Sequence, residues 1–241
     1  MKDVEIFLLA LLMSIMLFDV YVASYKYKKL SLVLKIAACF LYFVFIEQTT
    51  ILSFLWYYPT QNIYFLLHIS KPIEAILLLL MYREMFKKYI VEKDVYVYRK
   101  IFIVLMVLFA VFAVVNALCW QPLTIYPSYI RTALSILVMV CSALHFYKYT
   151  YEPVPRKVSE LGNYVSSRVP LFWINIGLFS FYGFTEIRFA FINVLHEELS
   201  KASYTNLSMM HTIYCIIFYI LIGIGFIKAK PLKGKTAIDK K

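Results

Sequence analysis

The stretch HISKPIEAILLLL, His68 to Leu80, sets a histidine, a lysine, a proline and a glutamate inside an apolar run. His68, Lys71 and Glu74 recur at i, i+3 and i+6, which predicts that they lie along one face of a helix. An imidazole, an ammonium and a carboxylate in that register can pair with one another, relay a proton or hold a polar ligand. Other apolar stretches carry comparable groups: Glu47 beside Gln48, Arg131, Glu186 with Arg188, and His211. The acids Glu47, Glu74 and Glu186 equal the bases Lys71, Arg131 and Arg188 in number, so a layer built from them is formally neutral and internally paired. Ionisable groups inside a membrane span cost about 2.5 to 3.5 kcal/mol each on insertion scales and by default mark a pathway, a relay or a site.

These residues need elements to position them. The chain has 241 residues, is 62% hydrophobic and 18% aromatic, and has only 6 glycines, a composition too apolar for a soluble domain. A helical span takes about 20 apolar residues. Seven stretches qualify: Val4 to Ala23, Leu32 to Tyr57, Ile63 to Tyr82, Ile101 to Trp120, Tyr129 to Tyr147, Pro170 to Leu195 and Met209 to Ile227. No alternating pattern suggests a barrel, and helices satisfy their own backbone in lipid. The expected fold is therefore an all-α polytopic bundle of seven transmembrane helices. It forms one domain, residues 1–228, followed by a basic tail, 229–241.

The formal charge of +11 follows the alternation of spans and loops. Lys26, Lys28 and Lys29 follow the first span; Arg83, Lys87, Lys88, Lys93, Arg99 and Lys100 follow the third; Lys148, Arg156, Lys157 and Arg168 follow the fifth; the tail adds Lys228, Lys230, Lys233, Lys235, Lys240 and Lys241. Only Lys2 and Lys201 fall on the opposite side. The positive-inside rule then places the N-terminus outside and the C-terminus in the cytoplasm. The charge is a topology signal with a secondary attraction to anionic lipid, and nucleic acid is not an expected partner because no groove-reading element accompanies it. The first span reads as a retained helix, since MKDVE is not a net-positive leader and a basic cluster follows the span. Trp56, Tyr57, Tyr58, Trp120 and Tyr126 form an aromatic belt on the outer side. The longer cytoplasmic connections mix both charges with apolar positions and suit short interfacial helices. Neither they nor the tail is large enough for a catalytic domain, so cytoplasmic output is expected from a separate polypeptide.

Counting at 1.5 Å per residue brings the polar groups of five spans to one depth in the outer half. The expectation is a polar cavity open to the outside, with HISKPIEA as one wall and Pro72 freeing a carbonyl near it. Its ligand-binding residues are Glu47, His68, Lys71, Glu74, Arg131, Glu186, Arg188 and His211. The competing reading is a structural ion-pair layer with no ligand. Glu186 and Arg188, two residues apart, point to different faces, and Arg131 and Arg188 lie near enough to helix ends to snorkel to headgroups. In the inner half, Asp19 and Lys35 are placed to pair across the first loop or to act as interface residues, and His145 sits at the boundary.

Other chemistries lack their groups. The last span has no lysine for a retinal Schiff base, no H-x-x-x-H pair supports a zinc hydrolase, and no G-x-S-x-G elbow or phosphate loop is present. Cys39, Cys119, Cys141 and Cys215 have no metal-ligand spacing and read as small buried hydrophobes. No metal, cofactor or catalytic residue is expected. The sequon at Asn206 carries no meaning in a bacterial membrane.

The stretch RVPLFWINIGLFSFYGF, Arg168 to Phe184, with Ile224, Gly225 and Phe226 near the end of the last span, resembles a group of small bacterial seven-helix proteins carrying a P-x-F-W-I-N opening to the sixth helix. The resemblance covers about the last 70 residues. It implies a stand-alone counterpart of the seven-helix input modules of sensor kinases, working beside a separate signalling protein, and it supplies no functional residues. On physical grounds Pro170 suits a first helical turn, Trp173 an interfacial anchor and Asn175 an interhelical hydrogen bond. The expected function is an integral sensor or accessory signalling protein of the bacterial inner membrane, binding a small polar or amphiphilic ligand. A small transporter or proton-coupled permease is the alternative, and a metal-dependent lipid hydrolase a more distant one.

Overall fold

The computed structural model describes residues 2–58, 62–87, 95–151, 168–185 and 201–229. Seven helices appear among them, and no strand. We label them α1 (Lys2–Lys26), α2 (Leu32–Tyr57), α3 (Tyr64–Lys87), α4 (Val95–Val115), α5 (Ser128–Tyr151), α6 (described over 168–185) and α7 (Lys201–Lys228). A 3-10 turn, Tyr27–Lys29, follows α1, and a π-helical turn, Asn116–Trp120, ends α4. Six of the helices, α1 to α5 and α7, are long and apolar enough to cross a membrane. Large apolar side chains cover the outside, among them Phe7, Leu17, Ile46, Val104, Leu108 and Ile136. A soluble protein would hide such a surface, whereas lipid solvates it. The chain is a multi-pass membrane protein.

Helix α3 is the central element, with half of its span buried against 22% for α4. Ala75, Leu78, Leu79 and Met81 of α3 pack with Ala38 and Leu41 of α2, Leu134 of α5, Leu178 of α6 and Ile222 of α7 in one apolar core. The helix runs through Pro72 without interruption, although proline offers no N–H to the carbonyl one turn back, that of His68. It also continues past its expected end at Tyr82 to Lys87, and α5 past Tyr147 to Tyr151. Lysine and tyrosine carry apolar stems that let a helix emerge from the bilayer still wound.

Small residues let the first, sixth and last helices approach. A Cβ on Gly223 would lie 2.2 Å from Asp19 Oδ1, and one on Gly225 would lie 2.7 Å from Ile174 and 2.9 Å from the Pro170 carbonyl oxygen. Such contacts admit only hydrogen, which is how small residues work between membrane helices. Lys26 closes the same seam by donating to the carbonyls of Phe226, Ile227 and Ala229, at 3.1, 2.7 and 3.2 Å. A cation from α1 thus caps the exposed carbonyls at the end of α7. Asp19 does not pair with Lys35. It is 1% exposed against Gly223, with no hydrogen bond or ion pair among the described residues, while Lys35 lies over the Tyr27 ring.

Candidate functional site

Four charged residues from three helices meet in the half of the bundle away from Lys26 and Lys228. The Lys71 ammonium lies 2.8 Å from Glu47 Oε1 of α2 and 2.7 Å from Glu74 Oε2, one turn further along α3. Arg131 of α5 donates through Nη1 to both Glu74 oxygens, at 3.0 and 3.2 Å. The Tyr182 hydroxyl of α6 donates to Glu74 Oε1, and Ser70 donates to Glu47 Oε1 at 2.5 Å. The Arg131 guanidinium also lies over the Phe181 and Tyr182 rings, 5.5 and 5.0 Å from their centres, within cation–π range. Glu47, Lys71, Glu74 and Arg131 are all between 3 and 7% exposed. Their charges cancel, and mutual pairing is what makes their burial tolerable.

This network borders a cavity of about 220 Å³. Lys71, Glu74 and Arg131 form its polar side; Leu12 and Met16 of α1, Phe40 and Val44 of α2, and Phe181 and Phe218 form much of its apolar side. Gln48, Tyr126, Tyr182, His211, Thr212, Cys215 and Tyr219 complete the polar lining. A second hollow of about 250 Å³ lies between Glu5, Leu8 and Leu9 of α1 and Ser208, Met209 and Thr212 of α7. The two share Leu9 and Thr212, so the hollow adjoins the cavity on its side away from Lys26.

The expected site residues are distributed unevenly. Lys71, Glu74, Arg131 and His211 border the cavity. Arg131, placed near a helix end by counting, is turned inward rather than to headgroups and is 4% exposed. Glu47 belongs to the network but lies behind Lys71, in the wall of a separate groove of about 170 Å³ between α2 and α3; its Oε2 has no hydrogen-bond partner there. His68 faces elsewhere: its Nε2 donates to the Ile125 carbonyl at 2.9 Å. Because a carbonyl only accepts, the proton is on Nε2. With Asn62, which donates to the Thr124 carbonyl at 2.5 Å, and the Tyr64–Tyr126 ring contact, His68 fastens the connection between α4 and α5 over α3. That connection carries Tyr126 into the cavity wall. Glu186 and Arg188 lie outside the described residues.

Tyr182 and Tyr219 are components that sequence reasoning missed. Nothing in the chain separates them from its other tyrosines, 21 in all. Asn175 makes the expected interhelical bonds in the other half of the bundle: the Tyr82 hydroxyl donates to its Oδ1 at 3.0 Å, and its Nδ2 donates to the Ser142 carbonyl at 3.2 Å. Tyr82 has one proton, so the 2.6 Å contact with Ser142 is donated by the serine. His145 is buried beside Phe86 and Tyr149. Of the cysteines, only Cys141 is buried; Cys39 and Cys215 are half-buried and Cys119 is exposed. Among the described residues no three His, Cys, Asp or Glu side chains cluster in a way that would hold a metal ion. Compared with protein-family profiles, curated proteins and solved structures, the chain matches none.

Proposed function

We propose that this chain is a seven-span, receptor-like protein of the bacterial inner membrane that binds a small polar or amphiphilic ligand in its central cavity and reports occupancy to a separate signalling protein. The observation that carries the reading is the placement of a buried, neutral ion-pair network on the border of a cavity. A layer serving only to fix packing gains nothing from an adjoining void, since a void forfeits dispersion contacts along its lining. The basic ends of the helices are cytoplasmic by the positive-inside rule, so the hollow between α1 and α7 opens outward. A ligand beside Lys71 and Arg131 touches α3, α5 and α7 together, and Lys26 joins α7 to α1 at the cytoplasmic end, where a partner would sense helix movement.

The experiment is thiol labelling of His211→Cys, in a background lacking the native cysteines, with a membrane-impermeant reagent applied to each side. Reaction from outside alone is expected for a receptor cavity. Reaction from both sides would replace it with alternating access and transport, and no reaction from either would leave the network as packing.

A further inference from the structure

The hydrogen-bond accounting of the network gives the ligand a sign. Glu74 has about four acceptor positions, and all are taken: Oε1 by Arg131 and Tyr182, Oε2 by Lys71 and Arg131. It has nothing left to offer a ligand. Lys71 has three N–H donors and gives two, to Glu47 and Glu74. The Tyr219 hydroxyl and the Gln48 amide, both in the cavity wall, make no hydrogen bond among the described residues, although Tyr219 is only 4% exposed. Glu47 balances Lys71 from the groove behind it, so the network stays neutral, but what it turns toward the cavity is unspent donors and no unspent carboxylate oxygen. Aromatic rings, Phe40, Phe181 and Phe218, line the same cavity. For size, a cavity of about 150 Å³ accepts benzene, so about 220 Å³ scales to about nine non-hydrogen atoms.

We infer that the cavity takes a small monocarboxylic acid with an apolar, aromatic-sized body, its carboxylate on Lys71 and its body against the phenylalanines, an assignment that rests on the cavity reading above. Charge-assisted hydrogen bonds are about twice as strong as neutral ones, and this sets the expected discrimination. The test is calorimetric titration of the full chain in phosphatidylcholine nanodiscs with benzoate, benzyl alcohol and benzylammonium at pH 7, with empty nanodiscs subtracted. Benzoate is expected to bind at least tenfold tighter than benzyl alcohol, with benzylammonium weakest. Lys71→Met should abolish the preference. That variant also leaves Glu47 without its cation and is liable to misfold, so the Gln48→Met/Tyr219→Phe pair, which spares the network, is measured beside it and should weaken benzoate severalfold. Benzyl alcohol or benzylammonium binding as tightly as benzoate would overturn the assignment, as would an unchanged benzoate affinity in the Gln48/Tyr219 pair. Absence of binding by all three probes, with position 211 still labelled from outside, would overturn the ligand class alone; absence of both binding and labelling would overturn the cavity reading with it.

Discussion

Replacing Glu74 by glutamine keeps the side chain's shape and removes one charge from the layer. Three charges then remain, Glu47, Lys71 and Arg131, with a net +1 in a buried site. At an effective dielectric of about 20, unit charges about 3 Å apart attract by about 5 to 6 kcal/mol, and Arg131 and Lys71 lie 3.0 and 2.7 Å from the carboxylate. Desolvation offsets part of this, and breaking a buried pair from one side costs about 3 to 5 kcal/mol. Interhelical hydrogen bonds in a membrane bundle average about 0.6 kcal/mol each, so the four contacts at Glu74, counted as neutral bonds, would give only about 2.4 kcal/mol. A loss above about 3 kcal/mol thus identifies charge as the cause. The assay is reversible unfolding in mild detergent of Glu74→Gln, Arg131→Met and the double variant. Removing Arg131 as well withdraws the orphaned cation, and the double variant should recover about 1 to 3 kcal/mol over additivity. Single-variant losses below about 1 kcal/mol, or additivity within about 0.5 kcal/mol, would refute the buried network.

Three further outcomes follow from particular contacts. Gly223→Ala drives a methyl group into Asp19 Oδ1 and should cost about 1 to 3 kcal/mol by overpacking; adding Asp19→Ala should restore most of the lost thermal midpoint, and no restoration would place the fault elsewhere on α7. Lys26→Met removes the donor to three carbonyls and should cost about 0.3 to 1 kcal/mol, read as faster amide exchange confined to the end of α7. His68→Phe releases the Ile125 carbonyl and should speed proteolysis or exchange across residues 121–127 without lowering global stability; unchanged exchange there would show that the connection is held by other contacts.

Much of the fold was legible because lipid asks for long apolar helices, and the six helices of membrane-spanning length and composition fall on expected spans. At the basic side the helices run on past those spans, Lys87, Lys148 and Tyr151 remaining helical. Within the site, the Lys71–Glu74 pair is written in its i, i+3 spacing, and Arg131 was reached by counting depth. The i+6 relation of His68 to Glu74 misled: six residues at 100° leave the two about 120° apart around the axis, enough to turn His68 toward Ile125 while Glu74 faces the centre. Glu47 shares the depth but approaches Lys71 from the α2 side, so depth alone did not show that it backs the cavity rather than lines it. Tyr182 and Tyr219 carry no local signal, because an aromatic residue on an apolar helix reads the same whether its hydroxyl meets a carboxylate or a void.

The central claim, that the network borders an open cavity rather than a dry seam, is tested most directly by the chain's own thiols. Cys215 lines the cavity, whereas Cys141 is buried in the helix packing. Two single-cysteine proteins, keeping one or the other, are treated in native membranes with a small water-soluble thiol reagent and the modification is timed by mass spectrometry. The account predicts that Cys215 reacts at least tenfold faster than Cys141. Equal and negligible rates at both would contradict it.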